Sequence, residues 1–141
     1  MNQNKFFSCS IALVFIAFFT TSWVFPTTAA KRTPIIINSE YDLAGPYPFQ
    51  GTFYTHGALE IKGTVTMEVD VNHNATRFHC IYTFTGPQGT ITIHEECVFA
   101  TPAQGQGRWE IVSGTGAYAN LKGNGSALMP GNEENWVGVI Y

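Results

Sequence analysis

Beyond residue 30, apolar side chains recur at every second position, and that period limits the chain more than any other feature. Val65, Met67, Val69 and Val71 share one face of a run whose other face carries Thr64, Thr66, Glu68 and Asp70. Successive side chains of a strand point to opposite sides, so this is the pattern of a half-buried strand. Phe78, Cys80, Tyr82 and Phe84 repeat it against Arg77, His79 and Thr83. Ile91, Ile93, Cys97 and Phe99 repeat it against Thr90, Thr92, His94 and Glu96, and Trp109, Ile111 and Ser113 against Arg108, Glu110 and Val112. No stretch of this part keeps a helical period for three turns.

Turn chemistry separates the runs. Asn72-His73-Asn74, Gly86-Pro87-Gln88-Gly89, Pro102 to Gly107 and Ser113-Gly114-Thr115-Gly116 are all breakers. Glu60 to Gly63 reads as another tight turn rather than the middle of one long strand. Weaker strand patterns lie at Ile35 to Glu40, Phe49 to Leu59, Gly123 to Met129 and Asn135 to Tyr141. The total is about eight short strands, which suggests a barrel or a sandwich. Ala117 to Leu121 fits one helical turn between two of them. The expected fold is all-β, an eight-stranded antiparallel barrel over residues 49–141. Residues 31–48 carry prolines and are expected to be irregular, with room for a first strand.

Residues 1–30 have a different character. Lys5 supplies a positive start, Ile11 to Phe19 is an unbroken apolar run, and Thr28-Ala29-Ala30 offers small residues before a cleavage point. This is the layout of a secretory signal peptide. The run is short for a membrane span, which needs roughly 20 apolar residues. Cys9 precedes the run, whereas a lipid-anchored cysteine would follow it. A secreted or periplasmic protein is therefore expected, with no stable membrane insertion once the signal is cleaved. Six Lys and Arg then face ten Asp and Glu, a net charge of −4. That argues against nucleic acid, whose phosphates call for a basic patch.

Two cysteines remain, Cys80 and Cys97. In an oxidising compartment a disulfide is the default. Folding a hairpin about Pro87-Gln88 puts both on one face, but diagonally, and a local bulge would be needed to bring them into register. Closing such a loop is worth roughly 3 kcal/mol in the chain-entropy model. The alternative is a pair of buried free thiols. There is no Cys-x-x-Cys or paired His spacing, so no metal and no cofactor is expected.

Glu95 is the most informative polar residue. Strict alternation puts it on the apolar face between Ile93 and Cys97, opposite Cys80. A carboxylate there is costly unless paired or protonated, and burial would raise its pKa. It could then serve as a general acid or base, or hold a polar ligand group. The rival reading is a bulge at Glu95-Glu96 that turns both outward, and the cost of burying charge tips the balance slightly towards it. Tyr82 points inward by the same alternation, where it fills core or donates to a ligand. Trp109 and Phe53 are core first and cavity wall second. His79 and His94 fall on the outer face, with His79 opposite Glu96. A metal site from these three is weak without recognised ligand spacing.

Gly107-Arg108-Trp109-Glu110-Ile111-Val112-Ser113-Gly114-Thr115-Gly116-Ala117-Tyr118-Ala119-Asn120-Leu121-Lys122-Gly123-Asn124-Gly125 is the most distinctive segment. It resembles the signature of the allene oxide cyclase barrel-like superfamily, which includes plant dirigent proteins and small bacterial proteins of unknown role. In that signature a strand ends in a Gly-Thr-Gly turn, a short aromatic-bearing helical turn follows, and a Gly-x-Gly strand comes next. Gly57-Ala58-Leu59-Glu60-Ile61-Lys62-Gly63-Thr64 is a weaker match, similar to the first hairpin of such barrels. The resemblance implies an eight-stranded antiparallel barrel, often with an apolar cavity, and dimers or trimers. Enzymes of the superfamily steer a cyclisation of a hydrophobic substrate. Their catalytic residues do not map onto this chain one by one.

The residues of the motif have a structural reading of their own. Gly114 and Gly116, flanking Thr115, allow backbone angles closed to other residues. Gly123 and Gly125 allow close packing or a bulge, and Tyr118 is placed to plug one end of the barrel. Three functions fit these residues. The first is a barrel that holds an apolar small molecule. The second is a cyclase, isomerase or lyase in which Glu95 manages a proton. The third is a filled barrel acting through its surface.

Overall fold

The computed structural model describes residues 30–101 and 104–141. The expected signal segment before residue 30, the turn residues Pro102 and Ala103, and the side chains of Val71 and His73 lie outside it. Eight strands form a closed antiparallel barrel in which each pairs with its neighbours in sequence. They are β1 (Thr33–Asp42), β2 (Phe49–Gly57), β3 (Lys62–Asn74), β4 (Arg77–Gly86), β5 (Gly89–Thr101), β6 (Gln104–Gly114), β7 (Gly123–Pro130) and β8 (Glu133–Ile140). A single 3₁₀ turn at Gly116–Tyr118 joins β6 to β7.

β1 is a full member of the barrel. Ile36 pairs with His56 of β2 on one side and with Val137 of β8 on the other. The strand candidate at Ile35 to Glu40, inside a segment otherwise expected to be irregular, thus becomes the strand that removes both sheet edges. An open barrel would present unpaired N–H and C=O groups there. Glu60-Ile61 falls between β2 and β3, so the expected turn is present.

Alternation decides what faces inward. Cys80, Tyr82 and Phe84 of β4 are buried, as are Ile91, Ile93, Glu95 and Cys97 of β5. Trp109 and Ile111 of β6 are buried as well, but Ser113 is exposed. The register steps between Thr92–Ser113 and Ile93–Ile111, so an extra residue at Val112 reverses the alternation. In the middle of the barrel the packing is aromatic. The Trp136 ring meets Tyr82 at 4.7 Å, Phe84 at 5.7 Å and Trp109 at 6.1 Å between centroids. Phe53 meets Phe84 edge-on at 4.9 Å. Edge-to-face pairs of this kind add about 0.5–1.5 kcal/mol beyond the area they bury.

The two ends of the barrel differ. At one end Tyr118 is buried, and Leu59, Ile61 and Leu121 pack against the core beside it. The Gly-Thr-Gly turn is tied to the β4–β5 hairpin. Thr90 N donates to Thr115 Oγ1 (2.9 Å) and Ala117 N to Gln88 O (3.0 Å). Gly116 has a φ of +58° and lies directly against the Gln88 carbonyl, so a side chain fits neither the angle nor the space. Thr55 Oγ1 donates to Leu59 O (2.8 Å) and accepts from Ile61 N (3.0 Å), which holds the β2–β3 loop over the same end. The motif read from the sequence is therefore a plug.

Candidate functional site

The other end holds a cavity of about 200 Å³. Met67, Val69, Phe78, Phe99 and Met129 form its apolar wall, and Tyr41, Cys80, Tyr82 and Glu134 its inner lining. Phe78 and Phe99 face each other edge-on at 5.6 Å. Leu43 and Asn132 belong to the loops around the mouth.

Beneath the cavity lies a layer of polar side chains that the strands place there one by one. β1 contributes Ser39 and Tyr41, β4 contributes Tyr82, β5 contributes Glu95 and β8 contributes Glu134, all buried. The Tyr41 hydroxyl donates towards Ser39 Oγ (3.1 Å) and Glu134 Oε2 (3.3 Å). The Trp136 indole donates to Ser39 Oγ (3.0 Å). Both Glu95 oxygens, Glu134 Oε1 and the Tyr82 hydroxyl have no well-formed hydrogen bond.

Glu95 and Glu134 are each only 1 % exposed. Burial pushes the Glu95 carboxyl above its ordinary range, and its contacts with Glu134, Tyr82 and Cys97 offset part of that rise. Burial also pushes Glu134 well up, and the neighbouring Glu95 adds to it by charge repulsion and by direct contact. Neighbouring buried carboxyls oppose each other's ionisation, so both effects act in the direction of the neutral acids. Tyr82 and Tyr41 are likewise raised, first by burial and then by the charge of Glu134, so both stay neutral donors.

The inward position of Glu95 settles the choice between alternation and bulge. The β4–β5 register runs without a break from Arg77–Val98 to Gly86–Gly89, with Cys80 opposite Glu95. The bulge favoured on charge cost does not form. Two features of the tertiary structure explain how the side chain is accommodated. Gly107 on β6 lies beneath it, and a Cβ there would run into the Glu95 carboxyl. The second is the neighbouring Glu134, whose contact offsets part of the rise that burial imposes on the Glu95 carboxyl. Neither partner was identified from the sequence. Glu134 sits two residues before the buried Trp136, so alternation on β8 was the available signal. The strand expected from Asn135 to Tyr141 begins one residue after it.

The same unbroken register corrects the disulfide. Cys97 pairs with Phe78, not with Cys80, and the sulfurs stand 3.7 Å apart as two buried free thiols. A bond needs about 2.05 Å between sulfurs, and the aligning bulge is missing. Cys97 donates to Cys80, which raises the Cys97 pKa and lowers that of Cys80.

The remaining site residues separate. Tyr82 lines the cavity, while Phe53 and Trp109 lie in the core away from it. Trp109 donates from its indole to Ser126 O (3.1 Å), and its ring lies against Gly125 and Gly138. His79 and His94 face outward, with rings 4.9 Å apart, and His79 Nδ1 lies 3.1 Å from Asp70 Oδ2. Among the described residues, no group of three or more His, Cys, Asp or Glu is placed to hold a metal. Compared with family models and with curated proteins, the chain matches none.

Proposed function

We propose that this chain is an exported barrel that holds one hydrophobic small molecule at the open end of its interior. The observation that carries the reading is the cavity of about 200 Å³ walled by methionines and phenylalanines over a polar floor. Small barrels either fill completely or keep room for one ligand, and a mostly apolar pocket with a few convergent polar groups is the usual form of a ligand site. The resemblance to allene oxide cyclase-like barrels supports the same reading, since cavities of that group take hydrophobic compounds. Native mass spectrometry of the protein purified from its own host tests it. A bound apolar molecule is the expected result. A clean apo mass, with no uptake from a panel of lipids and terpenoids, would replace this reading with a filled barrel acting through its surface.

A second reading rests on the Glu95–Glu134 pair. Two coupled carboxyls with raised pKa values, beside a neutral tyrosine, are suited to moving a proton during a cyclisation, isomerisation or elimination. In that case Glu95→Gln lowers turnover by about 100-fold or more while an apolar probe still binds. Turnover unchanged in the variant would leave binding as the only role.

A further inference from the structure

The cavity floor has a chemical bias that narrows its ligand, an inference that rests on the ligand-binding reading above. The unpaired polar atoms there are three carboxyl oxygens, Oε1 and Oε2 of Glu95 and Oε1 of Glu134, against one unpaired hydroxyl, that of Tyr82. Glu134 lines the cavity directly and Glu95 stands behind it. Among the described residues, no Lys, Arg or His is buried, so nothing inside the barrel supplies a positive charge. A ligand that complements this floor brings hydrogen-bond donors and a cation. A carboxylate would bring a like charge against an ionised Glu134 and add acceptors where the Tyr82 hydroxyl is the one unpaired hydroxyl.

We infer that the open end of the barrel binds a small hydrophobic amine, its ammonium group on the Glu134 carboxyl and its apolar body against Met67, Val69, Phe78, Phe99 and Met129. The size fits. A dry cavity of about 150 Å³ accepts benzene, so this one takes a single ring with a short arm. The rings of Tyr41 and Tyr82, with centroids 6.1 Å apart, both line the cavity, and aromatic rings near a cation favour it further. Binding breaks no covalent bond. Where Glu134 is protonated beforehand, its proton leaves to the buffer as the ammonium takes its place.

The test compares three probes of one shape on the protein purified from its host: 2-phenylethylamine as cation, 2-phenylethanol as neutral isostere and phenylacetate as anion. Calorimetry or ligand-observed NMR gives the three affinities. The amine is expected to bind at least tenfold tighter than the alcohol, and phenylacetate weakest. In Glu134→Gln the preference for the amine over the alcohol falls below threefold. Alcohol binding as tight as amine binding would keep the cavity and overturn the amine. Tighter phenylacetate binding would overturn it too. No binding by any probe, nor by naphthalene, would remove the ligand-binding reading itself. The wild-type ranking decides the matter even if the variant fails to fold.

Discussion

The two ends of this barrel are built on opposite principles. At the plugged end the packing is closed: Tyr118 fills the opening with only its hydroxyl left without a hydrogen bond, the Gly-Thr-Gly turn is bonded to the β4–β5 hairpin, and Thr55 holds the β2–β3 loop. At the open end the walls stop short of meeting, and the floor is a pair of carboxyls with unpaired oxygens. Packed interiors stabilise, whereas buried polar groups without full partners destabilise. Packing at the plug therefore carries stability, and the open end gives some of it up where the walls leave a cavity over buried carboxyls.

That contrast can be broken by mutation. The largest effect is expected at the plug. Tyr118→Ala should destabilise the protein by about 3–5 kcal/mol, as for other large-to-small changes at buried aromatic positions. Denaturant unfolding measures it, with naphthalene uptake at the open end retained. If Tyr118→Ala were neutral, the plug would not be the stabilising end.

A smaller effect separates the ends by pH. Glu95 and Glu134 both have folded pKa values raised above the ordinary 4.5. Below that value both states are protonated and stability is fully present. As pH rises, the unfolded chain ionises first, so it binds fewer protons than the folded one and stability falls. The loss is about 1.4 kcal/mol per pH unit for each carboxyl protonated only in the folded state, and it ends above the folded pKa. Unfolding curves from pH 4 upward measure this slope, and Glu95→Gln should flatten it. A slope unchanged in the variant would mean that the pair does not hold the proton.

Much of this was legible from local pattern. The alternating runs place Tyr82 and Cys80 on one face before any tertiary contact is considered, and the structure keeps them there; Glu95 follows the same alternation, although the cost of burying charge had favoured an outward bulge. Ser113 was misread because a bulge at Val112 depends on how β5 and β6 pair, and neither strand reveals it alone. Glu134 was missed for a related reason. Its face is set by alternation, but its meaning depends on Glu95, 39 positions earlier in the chain, and only closure of the barrel brings them together.

The sequence by itself determined the strand count, the turns, the plug motif and most of the apolar inward set, because a period of two and glycine-rich turns are local properties. The tertiary structure decided the rest. Pairing of β1 with β8 closed the barrel, an unbroken β4–β5 register kept Cys80 and Cys97 as separate thiols, and Gly107 gave Glu95 room to turn inward. The physical reason is that burial of a charge depends on what else arrives at the same place. Glu95 is accommodated inside because Gly107 on the next strand leaves the space and burial holds its carboxyl towards the neutral form, beside a second carboxyl that arrives from β8.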